Sequence, residues 1–182
     1  AIGYFNESLA IGQYNASTKA DAFYWRGEAN YRIGNYGGAY NDFRQHLNLA
    51  TDKSGQEYGL ALYSLGYTQF KQKNYNDALN WFVKYVNQAD ASQKQMMADA
   101  YNRIGDCHYY QSQFTKATEN YNKALEINPS SGDYALYQNA LMRGHNRDYK
   151  GKIEDLNAVI KQYPNSALIP SAMLEKADAY TA

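Results

Sequence analysis

The chain has 182 residues, 45% of them apolar, with 18 basic and 18 acidic side chains and so no formal net charge. Balanced charge leaves no electrostatic footprint for nucleic acid or an anionic membrane, and no apolar run nears the roughly 20 residues of a membrane helix. A single cysteine, Cys107, excludes an internal disulfide, while 20 tyrosines and only three prolines point to a helical chain rich in amphipathic contact surface.

In chain order, "AIGYFNESLA" lacks the basic n-region of a signal peptide and reads as one amphipathic helix over 1–12. A helical pattern carrying Gly27 follows in 13–50, then a polar turn "IGN" and a second helix opened by "NYGGAYNDF". Residues 51–90 repeat this plan. Leu62, Leu65 and Gly66 share one helical face, "QKN" forms the turn, and "NYNDALNWF" starts the next helix. Residues 91–130 do so again with Gly105, "QSQ" and "QFTKATENY", and residues 131–165 with Ala140 and "DYKGKIEDL". The last segment, 166–182, holds one more helical pattern, "PSAMLEKADAY".

The leading aromatics Tyr36, Tyr75, Phe114 and Tyr149 recur at intervals of 39, 39 and 35 residues, each with a small residue nine positions upstream. Internal periods of this size mark stacked helical hairpins, which bury a continuous core only against their neighbours. A glycine inside a helix costs about 1 kcal/mol relative to alanine. Its recurrence at 27, 66 and 105 predicts close approach of the partner helix, with Ala39, Ala78 and Ala117 doing the same from the other side. Phe43, Phe82 and Tyr121 are then expected to fill the space between successive hairpins. The extra residues of the longer repeats fall in 50–58 and 87–97 and predict longer loops plus an extra turn on the next helix.

These residues resemble the tetratricopeptide repeat (TPR) family. Its small eighth position, alanine at the twentieth, aromatic at the twenty-fourth and late proline are matched in the third repeat by Gly105, Ala117, Tyr121 and Pro129. Gly66, Ala78 and Phe82 match in the second repeat, and Gly27, Ala39 and Phe43 in the first. The fourth departs from the pattern, with Lys152 in the alanine position, and predicts a lysine stem along the seam with its ammonium in water. The resemblance implies an all-α fold, an α-α superhelix or right-handed solenoid of antiparallel hairpins. Residues 1–12 and 166–182 are then a second and a first helix of truncated repeats in a longer array. Such a chain is expected to be monomeric, or artificially dimerised through its truncated ends.

Chemistry is sparse. His46, His108 and His145 form no zinc motif, and Cys107 and His108, as helix neighbours, point about 100° apart and cannot pair. "GNYGG" has no preceding strand and no following GK[ST], so it is a helix–helix turn rather than a phosphate loop. Glu154 and Asp155 are helix-start charges that favour the dipole. The reading is non-enzymatic, with no catalytic residue, cofactor or metal site.

The family resemblance places partner-binding residues on the first helices, facing a concave groove. It assigns Tyr24, Glu28, Tyr31 and Arg32 (with Asp21) in the first repeat and Tyr63, Tyr67 and Phe70 (with Leu60 and Lys71) in the second. In the third it assigns Asn102, Asp106 and Tyr109 (with Asp99 and Tyr110), and in the fourth Tyr137 (with Tyr134, Leu141, Gly144 and His145). Tyrosines dominate, which suits a protein or peptide partner, with Glu28, Arg32 and Asp106 fixing register. Members that clamp a terminal carboxylate use lysine and asparagine where Tyr24 and Glu28 stand here, so that specificity is absent. Two alternatives are a structural spacer in a larger protein and a glycan-binding surface using Trp25 and Trp81. The ending "IKQYPNSALIPSAMLEKADAY" is similar to bacterial cell-envelope TPR proteins of the outer-membrane assembly and Tol-Pal-associated types. That implies a periplasmic setting, against a cytoplasmic alternative.

Overall fold

The computed structural model describes residues 1–11 and 15–181. The expected boundary at 12/13 lies outside the described residues. The chain divides into two compact units, Ala1–Asp90 and Ala91–Ala182.

Unit 1 contains α1 (Ile2–Ala10), α2 (Ala16–Arg32), α3 (Tyr36–Leu49), α4 (Gln56–Lys71) and α5 (Tyr75–Gln88), each packed on the next. Unit 2 contains α6 (Lys94–Tyr110), α7 (Phe114–Ile127), a single 3-10 turn (Pro129–Ser131), α8 (Asp133–His145), α9 (Tyr149–Gln162) and α10 (Ile169–Thr181), again packed in sequence. The helices that follow the longer loops, α4 and α6, run 16 and 17 residues, against 17 for α2 and 13 for α8.

Four hairpin turns share one construction. After α2, α4, α6 and α8, a backbone N–H reaches back five residues to a helix carbonyl: Asn35 to Asn30, Asn74 to Gln69, Gln113 to His108 and Asp148 to Arg143, at 2.8–3.0 Å. This is a Schellman-type closure, which needs a left-handed residue just before the donor. Gly34, Lys73, Ser112 and Arg147 supply it, with φ of 80°, 62°, 59° and 61°. The same residue pairs also bridge through their side chains. Asn35 Nδ2 donates to Asn30 Oδ1 (3.0 Å), Asn74 Nδ2 to Gln69 Oε1 (2.8 Å) and Arg143 Nη1 to Asp148 Oδ2 (2.8 Å). His108 Nδ1 lies 3.0 Å from Gln113 Oε1.

The glycines make room for the partner helix of the same hairpin, through one of its rings. A β-carbon on Gly27 would sit 2.8 Å from Phe43 Cε1, one on Gly66 2.7 Å from Phe82 Cδ1, and one on Gly105 2.5 Å from Tyr121 Cε1. Phe43, Phe82 and Tyr121 are fully buried, beside Ala39, Ala78 and Ala117. In α8 and α9 the pair is Ala140 and Leu156, which join Val159 and Ala172 in one apolar cluster.

Lys152 also departs from expectation. Its ammonium is not in water: Nζ donates to Glu175 Oε2 at 2.6 Å, and the residue is 8% exposed. Its stem runs over Gly144, where a β-carbon would come within 3.1 Å of Cδ. The lysine therefore fills the seam with its methylenes and ties α9 to α10 with its charge.

Candidate functional site: a tyrosine cleft in unit 1

The helices α2 and α4 of unit 1 wall a cleft of about 320 Å³, lined by Glu28, Tyr31, Tyr63, Ser64 and Tyr67. Helical spacing explains the set, since 28 and 31, and 63 and 67, each fall on one face. The rings are held from behind. Tyr63 meets Tyr67 edge-on at 5.0 Å and Tyr85 at 5.2 Å, while Tyr67 meets Phe82 at 5.3 Å. Tyr31 is braced across its own turn by Tyr36 at 5.4 Å. On the polar side, Ser64 Oγ donates to Glu28 Oε1 at 3.1 Å. Burial raises the Tyr31 hydroxyl above its ordinary range, helped by Tyr36 and the Glu28 charge, so it stays a neutral donor.

A second, smaller cavity of about 250 Å³ lies among α2, α3 and α4, lined by Asp21, Tyr24, Trp25, His46, Glu57 and Leu60. Tyr24 bridges the two chemically. Burial raises its hydroxyl first, then the Glu28 and Glu57 charges, against a hydrogen bond with Ser64.

Of the sequence-derived contacts, Glu28, Tyr31, Tyr63 and Tyr67 are thus brought to one cleft, and Tyr24 to the neighbouring cavity. Arg32 is exposed in the last turn of α2, where a cation favours the helix dipole. Phe70 lies edge-on to Tyr75 at 5.4 Å, and Tyr109 packs on Phe114 at 5.9 Å, each bracing a hairpin turn as Tyr31 does.

Two assignments in unit 2 need correction. Asp106 is 4% exposed and works inside the fold. Its Oδ1 accepts from the hydroxyls of Tyr121 and Tyr134, both at 2.8 Å, and its Oδ2 from Arg103 Nη1 at 2.6 Å. A carboxylate with three donors already aimed at it is a structural hub, not a register mark for a partner. Asn102 is buried as well. Tyr137 is half-buried against the Ala140–Leu156 cluster.

Sequence reasoning missed Ser64, His46 and Glu57. Ser64 sits one residue beyond a groove position and gains its place only from Glu28 on α2. His46 lies on a second helix, outside the first-helix rule that selected the others. Cys107 is a buried space-filler, its thiol pushed up to about 12 by burial and the neighbouring Asp106 charge.

Residues 98–131 and 134–166 match tetratricopeptide-repeat family models. No curated protein matches the chain in sequence. Among solved structures, a crystal structure of MamA is 18% identical with a TM-score of 0.75, covering 88% of this chain and 85% of that one. MamA 41-end from Desulfovibrio magneticus RS-1 is 22% identical with a TM-score of 0.75, covering 91% and 85%. YrrB, described as a TPR protein with an unusual peptide-binding site, is 19% identical with a TM-score of 0.73, covering 94% and 81%. None of these matches supports the envelope-protein resemblance drawn from the C-terminal segment. The chain thus carries two segments matched as tetratricopeptide repeats and folds as an all-helical, TPR-like array of stacked antiparallel helix pairs.

Proposed function

We propose that the chain is a non-enzymatic scaffold that takes a peptide or protein segment on the tyrosine-rich face of unit 1, as part of a larger bacterial assembly. The cleft of Glu28, Tyr31, Tyr63, Ser64 and Tyr67 carries this reading. Its rings are already fixed by Phe82, Tyr85 and Tyr36, so a bound segment orders little on arrival and gains rigid amphipathic area. The Glu28–Ser64 pair offers polar atoms for a peptide backbone. The repeat-family matches and the peptide-binding TPR protein YrrB support the same reading. The periplasmic setting rests on the segment "YPNSALIPSAMLEKADAY" alone and is tested by fractionating cells that express the natural gene.

The test of the scaffold reading is affinity capture from native lysate with the wild type and a Tyr63→Ala/Tyr67→Ala variant, the variant's helicity checked by circular dichroism. Loss of the principal captured proteins is expected. Unchanged capture by a folded double variant contradicts the reading.

A further inference from the structure

We propose that the cavity among α2, α3 and α4 of unit 1 is a pocket for a basic side chain, a lysine or arginine of the bound segment. This rests on the reading of the α2–α4 face as a peptide-binding surface. Its lining sets two carboxylates and an imidazole beside two aromatic rings and a leucine.

His46 is the first observation. It is 3% exposed, and its Nδ1 lies 3.0 Å from the carbonyl oxygen of Ala20. A carbonyl only accepts, so Nδ1 carries a proton, and in the neutral imidazole Nε2 presents a lone pair. That Nε2 is buried with no hydrogen-bond partner among the described residues. A buried acceptor left unmatched is costly, and a donor brought by a ligand removes the cost.

The charges are the second observation. Asp21 and Glu57 line the same cavity, both exposed, and neither has an ion-pair partner among the described residues. No lysine or arginine lines it. The raised Tyr24 hydroxyl, after burial, reports the anionic field of Glu28 and Glu57.

The aromatic wall is the third. Trp25 is 56% exposed and is held edge-on by Tyr24 at 5.3 Å, while Tyr24 meets His46 at 5.4 Å. A rigid, open indole beside two carboxylates suits cation–π contact, and Leu60 offers an apolar surface for an aliphatic stem. At about 250 Å³ the cavity falls below the roughly 300–1,000 Å³ of small-molecule pockets and fits one side chain. Among the described residues no group of histidine, cysteine and carboxylates is arranged to hold a metal ion.

The test is an NMR titration of the protein with acetyl-Gly-Gly-Lys-Gly-Gly-amide, its arginine analogue, and the norleucine analogue that lacks the ammonium. Saturable shifts at the His46 ring and the Trp25 indole are expected with lysine or arginine, with at least tenfold weaker response to norleucine. Asp21→Asn/Glu57→Gln is expected to weaken the cationic peptides at least tenfold and leave norleucine unchanged. Equal response to norleucine, no saturable shift with either cation, or full-strength binding by the double variant overturns the proposal. Tyr63→Ala/Tyr67→Ala separates the two readings. If it leaves partner capture intact while the lysine response persists in the wild type, the tyrosine cleft fails and the pocket stands.

Discussion

The ring of Phe82 occupies the space a β-carbon on Gly66 would need: such an atom would lie 2.7 Å from both Cδ1 and Cε1. The ring is fully buried and also holds Tyr67 edge-on, so it cannot swing aside without disturbing the cleft. Gly66→Ala gains about 1 kcal/mol of helix propensity but overpacks a closed site. A net loss of about 1–2 kcal/mol in urea unfolding is expected, and Phe82→Leu in the same chain should recover part of it. An unchanged midpoint would mean that the ring does not sit where the structure places it.

Lys152 and Glu175 form a half-buried pair at 2.6 Å. Glu175→Gln leaves an ammonium in the seam without its counter-charge, and a loss of about 1–2 kcal/mol is expected, less than a fully buried pair because Glu175 is partly exposed. Lys152→Ala restores the small residue found in the other repeats and removes the stranded charge, so the double variant should be more stable than Glu175→Gln alone. A double-mutant cycle with no coupling energy contradicts the pairing.

The left-handed turn residues give a prediction of opposite sign. Lys73 and Ser112 hold φ of 62° and 59°, a region that costs side-chain-bearing residues about 1–2 kcal/mol and costs glycine little. Lys73→Gly and Ser112→Gly are each expected to stabilise by about 0.5–1 kcal/mol in thermal or urea unfolding, while Gly34→Ala destabilises by a similar amount. Destabilisation by both glycine variants would show that the turns are not left-handed.

Asp106 makes stability depend on pH in a stated direction. Burial raises its carboxyl above the ordinary range, against the pull of Arg103 and the hydroxyls of Tyr134 and Tyr121. The native state therefore holds that proton more tightly than the unfolded chain does. This contribution is fully present below the unfolded value, near 3.8, and is lost as pH rises through the raised native value. Asp106→Asn keeps an oxygen acceptor for both hydroxyls and removes the titration. The stability of the wild type relative to this variant should fall as pH rises from below about 3.8 through the raised native value. A rise over that interval would show that Arg103 outweighs burial.

The architecture was legible because small and large residues alternate along the helices with a period that survives in one dimension. Gly66, Ala78 and Phe82 announce a hairpin, and their echoes at 27, 39, 43 and at 105, 117, 121 announce a stack. What was not legible depends on residues meeting from distant parts of the chain. Asp106 sits at a groove position by count, yet Tyr121 and Tyr134 reach it from two other helices and draw it inside. Lys152 looked like a solvent-reaching exception until Glu175 on α10 came beside it. His46 belonged to a helix that the groove rule ignores. Lys73, Ser112 and Arg147 carry no residue-type signal for a left-handed turn. In the first repeats the position rule did assemble Glu28, Tyr31, Tyr63 and Tyr67 around one cleft, because α2 and α4 each present a single face there.

Binding of a peptide segment in this cleft is best measured by calorimetry. A peptide selected by display on the wild type would be titrated into the wild type, into Tyr63→Ala/Tyr67→Ala and into Trp81→Ala, which lies outside the cleft on α5. At least a thirtyfold loss of affinity is expected for the double variant and less than a threefold change for Trp81→Ala. Equal affinity of the wild type and a folded double variant would contradict binding in this cleft.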